Sequence, residues 1–291
     1  SQQNFINLIE LELQYVVQLI GMRGIMPTSL YIGGGTPTSL ADKPFARLMK
    51  MCSKYLNLPS IKEFTVEAGR PDCFSISKLH SMENAGVNRV SVNPQTFHDD
   101  TLKIIGRAHS VSDFYKAYEL VRGSEIPIIN MDLIIGLPGE SERDIEFSLA
   151  EAKRLAPENL TVHTLTLKKS APLFGSKMSL ESQSASRMVT RGMEIAKELG
   201  MVPYYLYRQH YMLGHLANIG YARPGMESVY NIQMMEERHP IIGIGPSSAS
   251  KMPLADGHHL NKLNMPKNVQ TYKDNLQSLF VKRRELFENI K

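Results

Sequence analysis

A run of three glycines followed by a threonine is the first segment with the composition of a binding loop. Gly33, Gly34 and Gly35 precede Thr36 at the end of a short apolar segment. Glycine lacks a Cβ, so its backbone N–H and C=O groups can approach a ligand closely, and Thr36 adds a hydroxyl. The run predicts either a loop that binds a phosphate or another polar group, or only a tight strand-to-helix turn.

A carboxylate and an amide stand at the ends of the next two apolar segments. Glu67 closes Phe64–Glu67, where it could accept both hydroxyls of a ribose or pair with the nearby Arg70. Gln95 follows Arg89–Val92 and offers both a donor and an acceptor, the alternative being a solvated loop amide. Both residues are candidates for hydrogen bonding to a ligand.

An arginine and an aspartate complete the set of candidate site residues. Arg107, in the segment Gly106–His109, could hold a ligand carboxylate with its guanidinium or lie at the surface as most arginines do. His109 is expected to be polar support. Asp132 interrupts the apolar run Ile128–Ile135, where an unpaired charge would cost several kcal/mol. We expect Asp132 to face a polar cavity rather than a structural salt bridge.

These residues lie at the carboxyl ends of segments with the composition of β-strands, and helical patterns separate the segments. Such alternation is typical of βα units around a parallel sheet, whose functional residues gather beyond the carboxyl ends of the strands. Ile128–Ile135 is expected to be buried on both faces. The predicted strands are Ser29–Ile32, Glu63–Val66, Arg89–Val92, Ile128–Ile135, Leu160–Leu165 and Val202–Tyr207.

The number of predicted strands defines the expected architecture. About six βα units are fewer than a closed barrel has, so the expected fold class is α/β with a partial, TIM-like barrel. Beyond Tyr207 the pattern loosens into loops and regains a helical period only over Val269–Asn289. We therefore divide the chain into a partial barrel over residues 1–207 and a small carboxyl-terminal extension over residues 208–291.

Composition argues against several classes of protein. The 291 residues are 42% hydrophobic and 21% charged, as in ordinary globular domains. No apolar run approaches the roughly 20 residues of a membrane span, and the first residues do not resemble a signal peptide. The net charge of +4 is modest, and the basic run Lys282–Arg284 is expected to be a solvated helix face. We expect a cytoplasmic protein without nucleic-acid or membrane partners.

The reactive residues leave few other chemistries open. Cys52 and Cys73 are the only cysteines and form no C-x-x-C pair, which fits a reducing cytosol. They are too few for a metal cluster held by about three or four thiolates. The sequence also has no zinc-binding spacing, no G-x-S-x-G motif and no P-loop. No metal ligand is therefore assigned.

Taken together, the motifs resemble those of the radical S-adenosylmethionine (SAM) family of oxygen-independent coproporphyrinogen III oxidases. The second and third motifs are most similar to the coproporphyrinogen dehydrogenase (HemZ-like) branch. The matching segments are Tyr31–Thr38 (Y-x-G-G-G-T-P-T), Val66–Glu67 with Pro71, Arg89–Gln95 (R-x-S-x-x-x-Q), Gly106–His109 (G-R-x-H) and Asp132–Pro138 (D-L-I-x-G-L-P), followed by Tyr204–Arg208, Gly220–Gly225 and Gly243–Gly245.

The resemblance implies that the candidate residues bind SAM. The glycine loop would hold the amino group of the methionine part, and the arginine its carboxylate. The glutamate and the glutamine would hold the ribose, and the aspartate would line the adenosyl pocket or a second SAM site. The cofactor-binding residues implied are Gly34, Gly35, Thr36, Arg107, Glu67, Gln95 and Asp132.

The resemblance also implies an activity. It is the radical oxidative decarboxylation of coproporphyrinogen III propionates to vinyl groups, which gives protoporphyrinogen IX in heme biosynthesis. The implied cofactors are SAM and a [4Fe–4S] cluster. The implied partners are a tetrapyrrole substrate and an electron donor.

Departures from the family pattern leave alternatives open. The family's cysteine loop for the cluster precedes the segment where this chain begins, so we expect a fragment that lacks the first strand and cannot bind the cluster alone. The sequence contains no tryptophan, which the related heme chaperones have in an N-x-x-Y-W motif. The alternative function is a heme or porphyrin carrier on the same fold. A phosphate-binding barrel enzyme would require the series of motifs to be coincidence.

Overall fold

The computed structural model describes residues 1–165, 182–208, 216–254 and 259–288. Its helices are α1 (Gln2–Met22), α2 (Asp42–Tyr55), α3 (Ile76–Ala85), α4 (Asp99–Ile104), α5 (Val111–Arg122), α6 (Glu142–Leu155), α7 (Ser182–Glu198), α8 (Val229–Glu236), α9 (Val269–Asp274) and α10 (Leu276–Glu288). Its strands are β1 (Ser29–Ile32), β2 (Glu63–Glu67), β3 (Arg89–Ser91), β4 (Ile128–Ile135), β5 (Asn159–Thr164), β6 (Val202–Tyr207), β7 (Asn218–Ala222), β8 (Ala249–Pro253) and β9 (Leu260–Asn264).

Strands β1 to β7 form one curled sheet in the described part of the chain. Its order is β1-β2-β3-β4-β5-β7-β6, and β1 to β5 are parallel to one another. β7 runs antiparallel to both of its neighbours, β5 and β6. The sheet is a half-barrel with helices on its outer side, so the predicted α/β fold class with a partial barrel is confirmed.

The sequence pattern does not predict strand β7, which lies beyond residue 207 and continues the sheet into the segment assigned to the extension. Gly220 on β7 allows the ring of Tyr205 on β6 to lie against it, since a Cβ at this position would come within 1.8 Å of that ring. The division of the chain into two domains at residue 207 stays a prediction.

Side chains alternate along each strand between the outer helices and the concave face of the half-barrel. On β4, Ile129, Met131, Leu133 and Ile135 join the apolar core beneath the helices. Asn130 and Asp132 are only partly buried and lie on the concave face. The prediction that this strand is buried on both faces is therefore wrong. The isoleucines at 128 and 134 of the concave face make the run look continuous, and they hide its period of two.

The outer helices begin and end at residues that favour helix termini. Ser110 and Asp113 form a capping box at the start of α5. The hydroxyl of Ser75 accepts the Lys78 N–H at the start of α3, and Gly86 ends that helix with a φ of 82°. These caps fix the helix lengths and hence the positions of the strand ends between them.

Helix α1 is long and apolar enough, by length and composition, to cross a membrane, which the sequence analysis does not anticipate. In the fold, its buried residues include the charged Glu12. The helix contacts both α2 and α10. Core helices of globular proteins pass the same test of length and composition, so α1 is only weak evidence for a membrane span.

A buried ion pair joins α1 to the carboxyl-terminal elements. Arg283 on α10 pairs with Glu12 on α1, and their side chains are 0% and 1% exposed. The Tyr272 hydroxyl and the Gly245 N–H also donate to Glu12. Arg283 donates in addition to the Ser250 hydroxyl at 3.2 Å. These bonds pair the two buried charges and hold α10, α9 and the Gly245 loop against α1.

The expectation of a solvated basic run is thus wrong for its central residue. Lys282 and Arg284 are exposed, whereas Arg283 is fully buried. Neighbouring residues of a helix point about 100° apart, so one residue of the run can face the core while the others face solvent.

We predict that Arg283→Ala lowers the free energy of unfolding by about 3–5 kcal/mol, because it leaves the buried Glu12 carboxylate without its partner. Urea unfolding followed by circular dichroism measures the change. Arg284→Ala is the matched control and should alter the free energy of unfolding by no more than about 0.5 kcal/mol. Similar effects of the two substitutions would contradict this account of the ion pair.

Candidate functional site

The concave face of the half-barrel encloses a polar cavity of about 260 Å³, which we call the inner cavity. Inward side chains of β1 to β6 form its walls, and helix α8 closes its base. Polar groups from neighbouring strands therefore converge on one space. The strand residues that line it include Tyr31, Thr65, Glu67, Ser91, Asn93, Asn130, Asp132, Thr161, His163, Tyr205 and Tyr207.

The base of the inner cavity is a charge-balanced cluster at the amino-terminal ends of the strands. The Glu63 carboxylate accepts hydrogen bonds from the Ser228 hydroxyl at 3.0 Å and the Val229 N–H at 2.7 Å. It thereby caps α8, where the helix dipole favours a negative charge. Arg89 lies 3.4 Å from the same carboxylate and balances it.

Asp132 faces the inner cavity from the middle of β4. Its carboxylate accepts hydrogen bonds from Nδ2 of Asn93 at 2.8 Å and Nδ2 of Asn130 at 3.0 Å, and Nε2 of His163 lies 3.8 Å away. Burial raises the pKa of Asp132, but its interactions with His163 and Asn130 outweigh this effect and bring the pKa below its usual value. Asp132 is therefore ionised at neutral pH, so it can accept hydrogen bonds and attract a cation.

Glu67 lies at the carboxyl end of β2 and is held from the side of β1. The Tyr31 hydroxyl donates to its Oε1, and the Gly34 N–H donates to the same carboxylate. Burial raises the pKa of Glu67, and the charge of Asp132 adds to the rise, whereas the two hydrogen bonds oppose it only in part. Two carboxylates thus face one cavity, and Glu67 is the one that protonates first as the pH falls.

The glycine loop lines a second, larger cavity of about 500 Å³, which we call the outer cavity. Gly34, Gly35 and Thr36 face it together with the loop 244–248. Gly34 has a φ of 90°, a conformation that favours glycine. Gly35 has no such φ, and no atom of the described residues lies within 4 Å of where its Cβ would be. Glycine at position 35 is therefore consistent with the close approach of a ligand.

Gln95 extends β3 towards β4 and is 8% exposed. Its N–H donates to the Asp132 carbonyl at 3.1 Å, and its carbonyl accepts from the Ile134 N–H at 2.9 Å. Its φ of 67° is one that residues other than glycine rarely adopt. Backbone strain of this kind is common at functional sites. Its side chain is not among the residues that line either cavity.

Two arginines near the strand ends lie outside both cavities. Arg70 pairs with Asp72 at 2.6 Å, so the alternative of an ion pair with Glu67 is not what forms. Arg107 is exposed on the loop between α4 and α5. His109 on the same loop is buried, and burial together with the charge of Arg107 lowers the pKa of its ring. A neutral, buried His109 agrees with its expected role as polar support.

The predicted site residues therefore do not all share one cavity. Glu67 and Asp132 line the inner cavity, whereas the glycine loop lines the outer one. Glu67 lies beside the glycine loop, because a Cβ at Gly33 would be 2.7 Å from its Oε1. Gln95 and Arg107 line neither cavity. Their joint assignment to SAM stays a prediction.

The inner cavity also contains residues that the sequence analysis does not select. His163 on β5 lies between Asp132 and Tyr207, and the Tyr207 hydroxyl is 3.4 Å from Nδ1 of its ring. Tyr31 and Tyr205 contribute further phenols. The alternation of apolar and polar residues along the strands is the signal that identifies these residues, since every second one faces inward.

Comparison with known proteins establishes the family. Residues 4–152, more than half of the chain, match the sequence model of the radical SAM superfamily. The chain belongs to the radical SAM superfamily. The membership of the radical SAM proteins that the motifs indicate is thereby confirmed.

Two relatives of this radical SAM protein are named for a coproporphyrinogen oxidase and for a heme chaperone. The oxygen-independent coproporphyrinogen-III oxidase-like protein HemZ of Bacillus subtilis is 40% identical over 270 residues, which are 91% of this chain and 54% of HemZ. The heme chaperone HemW of Escherichia coli is 28% identical over 80% of this chain and 58% of HemW. The chain therefore spans about half the length of the curated relatives that it matches.

A solved structure supports the fold. Coproporphyrinogen III oxidase (HemN) of Escherichia coli, described as a radical SAM enzyme, superposes with a TM-score of 0.72 and 18% sequence identity. The superposition covers 96% of this chain and 63% of the HemN chain. At this identity the likeness concerns the arrangement of strands and helices, and it agrees with the half-barrel described above.

Superfamily membership implies two cofactors, SAM and a [4Fe–4S] cluster, and SAM fits this chain. The Glu67 and Asp132 carboxylates provide acceptors for ribose hydroxyls and negative charge for a sulfonium. The open face of Gly35 gives a ligand access to the backbone. These groups could hold SAM.

The residues of this chain do not fit the cluster. Cys52 is buried, and burial raises the pKa of its thiol to about 12, so it is not a ready thiolate. Cys73 is the only other cysteine. The described residues contain no group of three His, Cys, Asp or Glu side chains that could hold a metal ion.

We predict that the chain forms no stable [4Fe–4S] cluster when it is incubated anaerobically with iron and sulfide, because its two cysteines cannot supply the thiolates. Iron and sulfide analysis, together with the absorption spectrum, measures the product. The double variant Cys52→Ser and Cys73→Ser is the control and should give the same background. A stable brown protein with a full cluster that the double variant lacks would contradict this prediction.

Glu67 yields a prediction about pH and stability. Its pKa is raised in the folded protein, so its stabilising contribution is complete only below the unfolded value near 4.5 and is lost as the pH rises through the folded value. Glu67→Gln should therefore raise the Tm at neutral pH and lose this advantage in acid. Scanning calorimetry at a series of pH values between acid and neutral measures the difference in Tm, with the exposed Glu236→Gln as control. A difference in Tm that is independent of pH would refute the pKa assignment.

Proposed function

We propose that this chain forms the SAM-binding half-barrel of a cytoplasmic radical SAM oxidoreductase. The reaction is the oxidative decarboxylation of coproporphyrinogen III propionates to vinyl groups, which yields protoporphyrinogen IX. The observation that carries the proposal is the polar inner cavity with two carboxylates in a chain 40% identical to a coproporphyrinogen oxidase-like protein. The tetrapyrrole substrate and an electron donor are partners within the same proposal.

The charge of the inner cavity favours a cationic cofactor. Glu67 and Asp132 are acidic groups that face it, whereas Arg89 at its base is paired with Glu63. A cavity with net negative charge attracts a sulfonium and concentrates it near the strand ends. When bound, SAM supplies the group that abstracts hydrogen from the substrate.

The chain's own residues would bind and orient SAM. Glu67 would accept a ribose hydroxyl, with Gln95 as its proposed partner, and Asp132 would line the adenosyl pocket. The backbone of Gly34 and Gly35, beside Thr36, would hold the methionine amino group. Arg107 is proposed to pair with the methionine carboxylate, which its exposed position would leave free to reach a ligand. Phenol rings at the walls of the inner cavity would limit the access of water.

A heme or porphyrin carrier is the second candidate function. It is favoured by the similarity to the heme chaperone HemW, which extends over 80% of this chain. The absence of tryptophan, and with it of the chaperone motif, argues against it. In this alternative the half-barrel would be retained while SAM would be used little or not at all.

Turnover distinguishes the two functions. The complete protein that carries this chain would be supplied anaerobically with iron and sulfide, then incubated with coproporphyrinogen III, SAM and a reductant. Formation of protoporphyrinogen IX, with one 5′-deoxyadenosine released for each propionate that is decarboxylated, supports the enzyme. Heme bound at a stoichiometric level without turnover supports the carrier and rejects the proposed reaction.

We predict that Asp132→Leu weakens SAM binding to the chain by about tenfold or more, because a charged hydrogen-bonding group of the cavity is removed. Isothermal titration calorimetry measures the Kd, and circular dichroism checks that the fold is intact. Asp100→Leu is the control, since the Asp100 side chain is 94% exposed on α4. Unchanged affinity in Asp132→Leu would remove this residue from the site.

A further inference from the structure

The Tyr31 hydroxyl occupies a position on Glu67 that a ligand hydroxyl would otherwise take. A free carboxylate can accept the two hydroxyls of a ribose, one on each oxygen. In this structure Oε1 of Glu67 already accepts the Tyr31 hydroxyl. We propose that Tyr31 restricts Glu67 to a single hydroxyl of a bound ribose, and so determines which hydroxyl of the cofactor the site requires. The inference rests on the proposed function, because it concerns the ribose of SAM.

The pairing of β1 with β2 places the two groups side by side. Tyr31 is the direct partner of Thr65 in the parallel register, and Glu67 is two residues further along the same face of β2. The phenol therefore needs to reach only along the strand direction to meet the carboxylate. The contact is thus built into the sheet rather than into a loop that could rearrange.

Gly33 allows the Tyr31 hydroxyl to reach Glu67, and it lies close to the oxygen that accepts this hydroxyl. A Cβ at Gly33 would lie 2.6 Å from the Tyr31 ring and 2.7 Å from Oε1 of Glu67. Any larger residue would therefore separate the phenol from the carboxylate. Oε1 therefore lies between the Tyr31 hydroxyl and the backbone of Gly33.

A second aromatic ring holds Tyr31 in this position. The ring of Tyr230 on α8 stacks on it with a centroid distance of 4.0 Å and an angle of 16°. Glu63 caps the start of that helix and thereby fixes Tyr230. Burial and the charge of Glu67 raise the pKa of Tyr31, so its hydroxyl stays protonated and donates. Rotation of the phenol away from Glu67 would break the stack and leave a buried carboxylate oxygen without its donor.

The test compares SAM with its 2′-deoxy and 3′-deoxy analogues as ligands of the chain, with the Kd measured by calorimetry. In the wild-type chain one analogue should bind within about twofold of SAM, whereas the other should bind roughly tenfold more weakly. In Tyr31→Phe, Oε1 becomes available to the second hydroxyl, so both analogues should bind more weakly than SAM. Equal dependence on both hydroxyls in the wild type, or an unchanged pattern in Tyr31→Phe, overturns the inference.

A measurement without ligand tests the contact separately. The pKa of the Glu67 carboxyl, followed by ¹³C NMR of labelled glutamate, should rise in Tyr31→Phe because the Tyr31 hydrogen bond lowers it. Tyr15→Phe is a matched control, since Tyr15 stacks on Phe280 at 4.3 Å and donates to its carbonyl at 3.0 Å. It should alter neither the Glu67 pKa nor the analogue pattern. An unchanged pKa in Tyr31→Phe overturns the inference.

The two failures are distinguishable. If SAM binds to neither the wild-type chain nor Tyr15→Phe, while the Tm values show folded proteins, the proposed function is rejected and the inference falls with it. If SAM binds and only the analogue pattern disagrees, the proposed function stands and the role of Tyr31 is rejected.

Discussion

The burial of two carboxylates inside one small cavity is the constraint on which the arrangement of this site depends. Glu67 and Asp132 both face a space of about 260 Å³, where desolvation raises the cost of ionising each of them and the charge of Asp132 adds to that cost for Glu67. Amide and phenol donors from neighbouring strands offset that cost, and each of them has to come from a fixed position in the sheet. The register of the strands therefore matters for the site, because it places these donors beside the two carboxylates.

Most of the fold follows from periodicity, and the failures have identifiable causes. The predicted strands at Ser29–Ile32 and Val202–Tyr207 coincide with β1 and β6, because apolar, β-branched and aromatic residues bounded by turns leave few alternatives. β7 contains Gly220, against which the ring of Tyr205 from β6 lies. The pattern of residues within one segment cannot show that Gly220 is required by its contact with Tyr205 on β6. The segment therefore has the composition of a loop.

The same limit applies to the site. Glu67 and Asp132 are recognisable in the sequence because a carboxylate beside apolar residues requires an explanation. Tyr31 and His163 lie within strands, where an aromatic or imidazole ring is ordinarily core, and only the alternation of faces shows that they point inward. The division of the glycine loop and the carboxylates between two cavities depends on how β1 and α1 pack, which no motif encodes. Gly33 illustrates this, since its role appears only once Glu67 is placed beside it.

The cap that Glu63 places on α8 has a consequence for synthesis of the chain on the ribosome. Glu63 and Ser228 are separated by 165 residues, so the base of the cavity cannot close until α8 has emerged, well after β1 to β5. Contacts of such sequence separation form late and slowly. The nascent half-barrel thus exposes the Glu67 and Asp132 side chains to solvent until α8 follows and closes the base of the cavity.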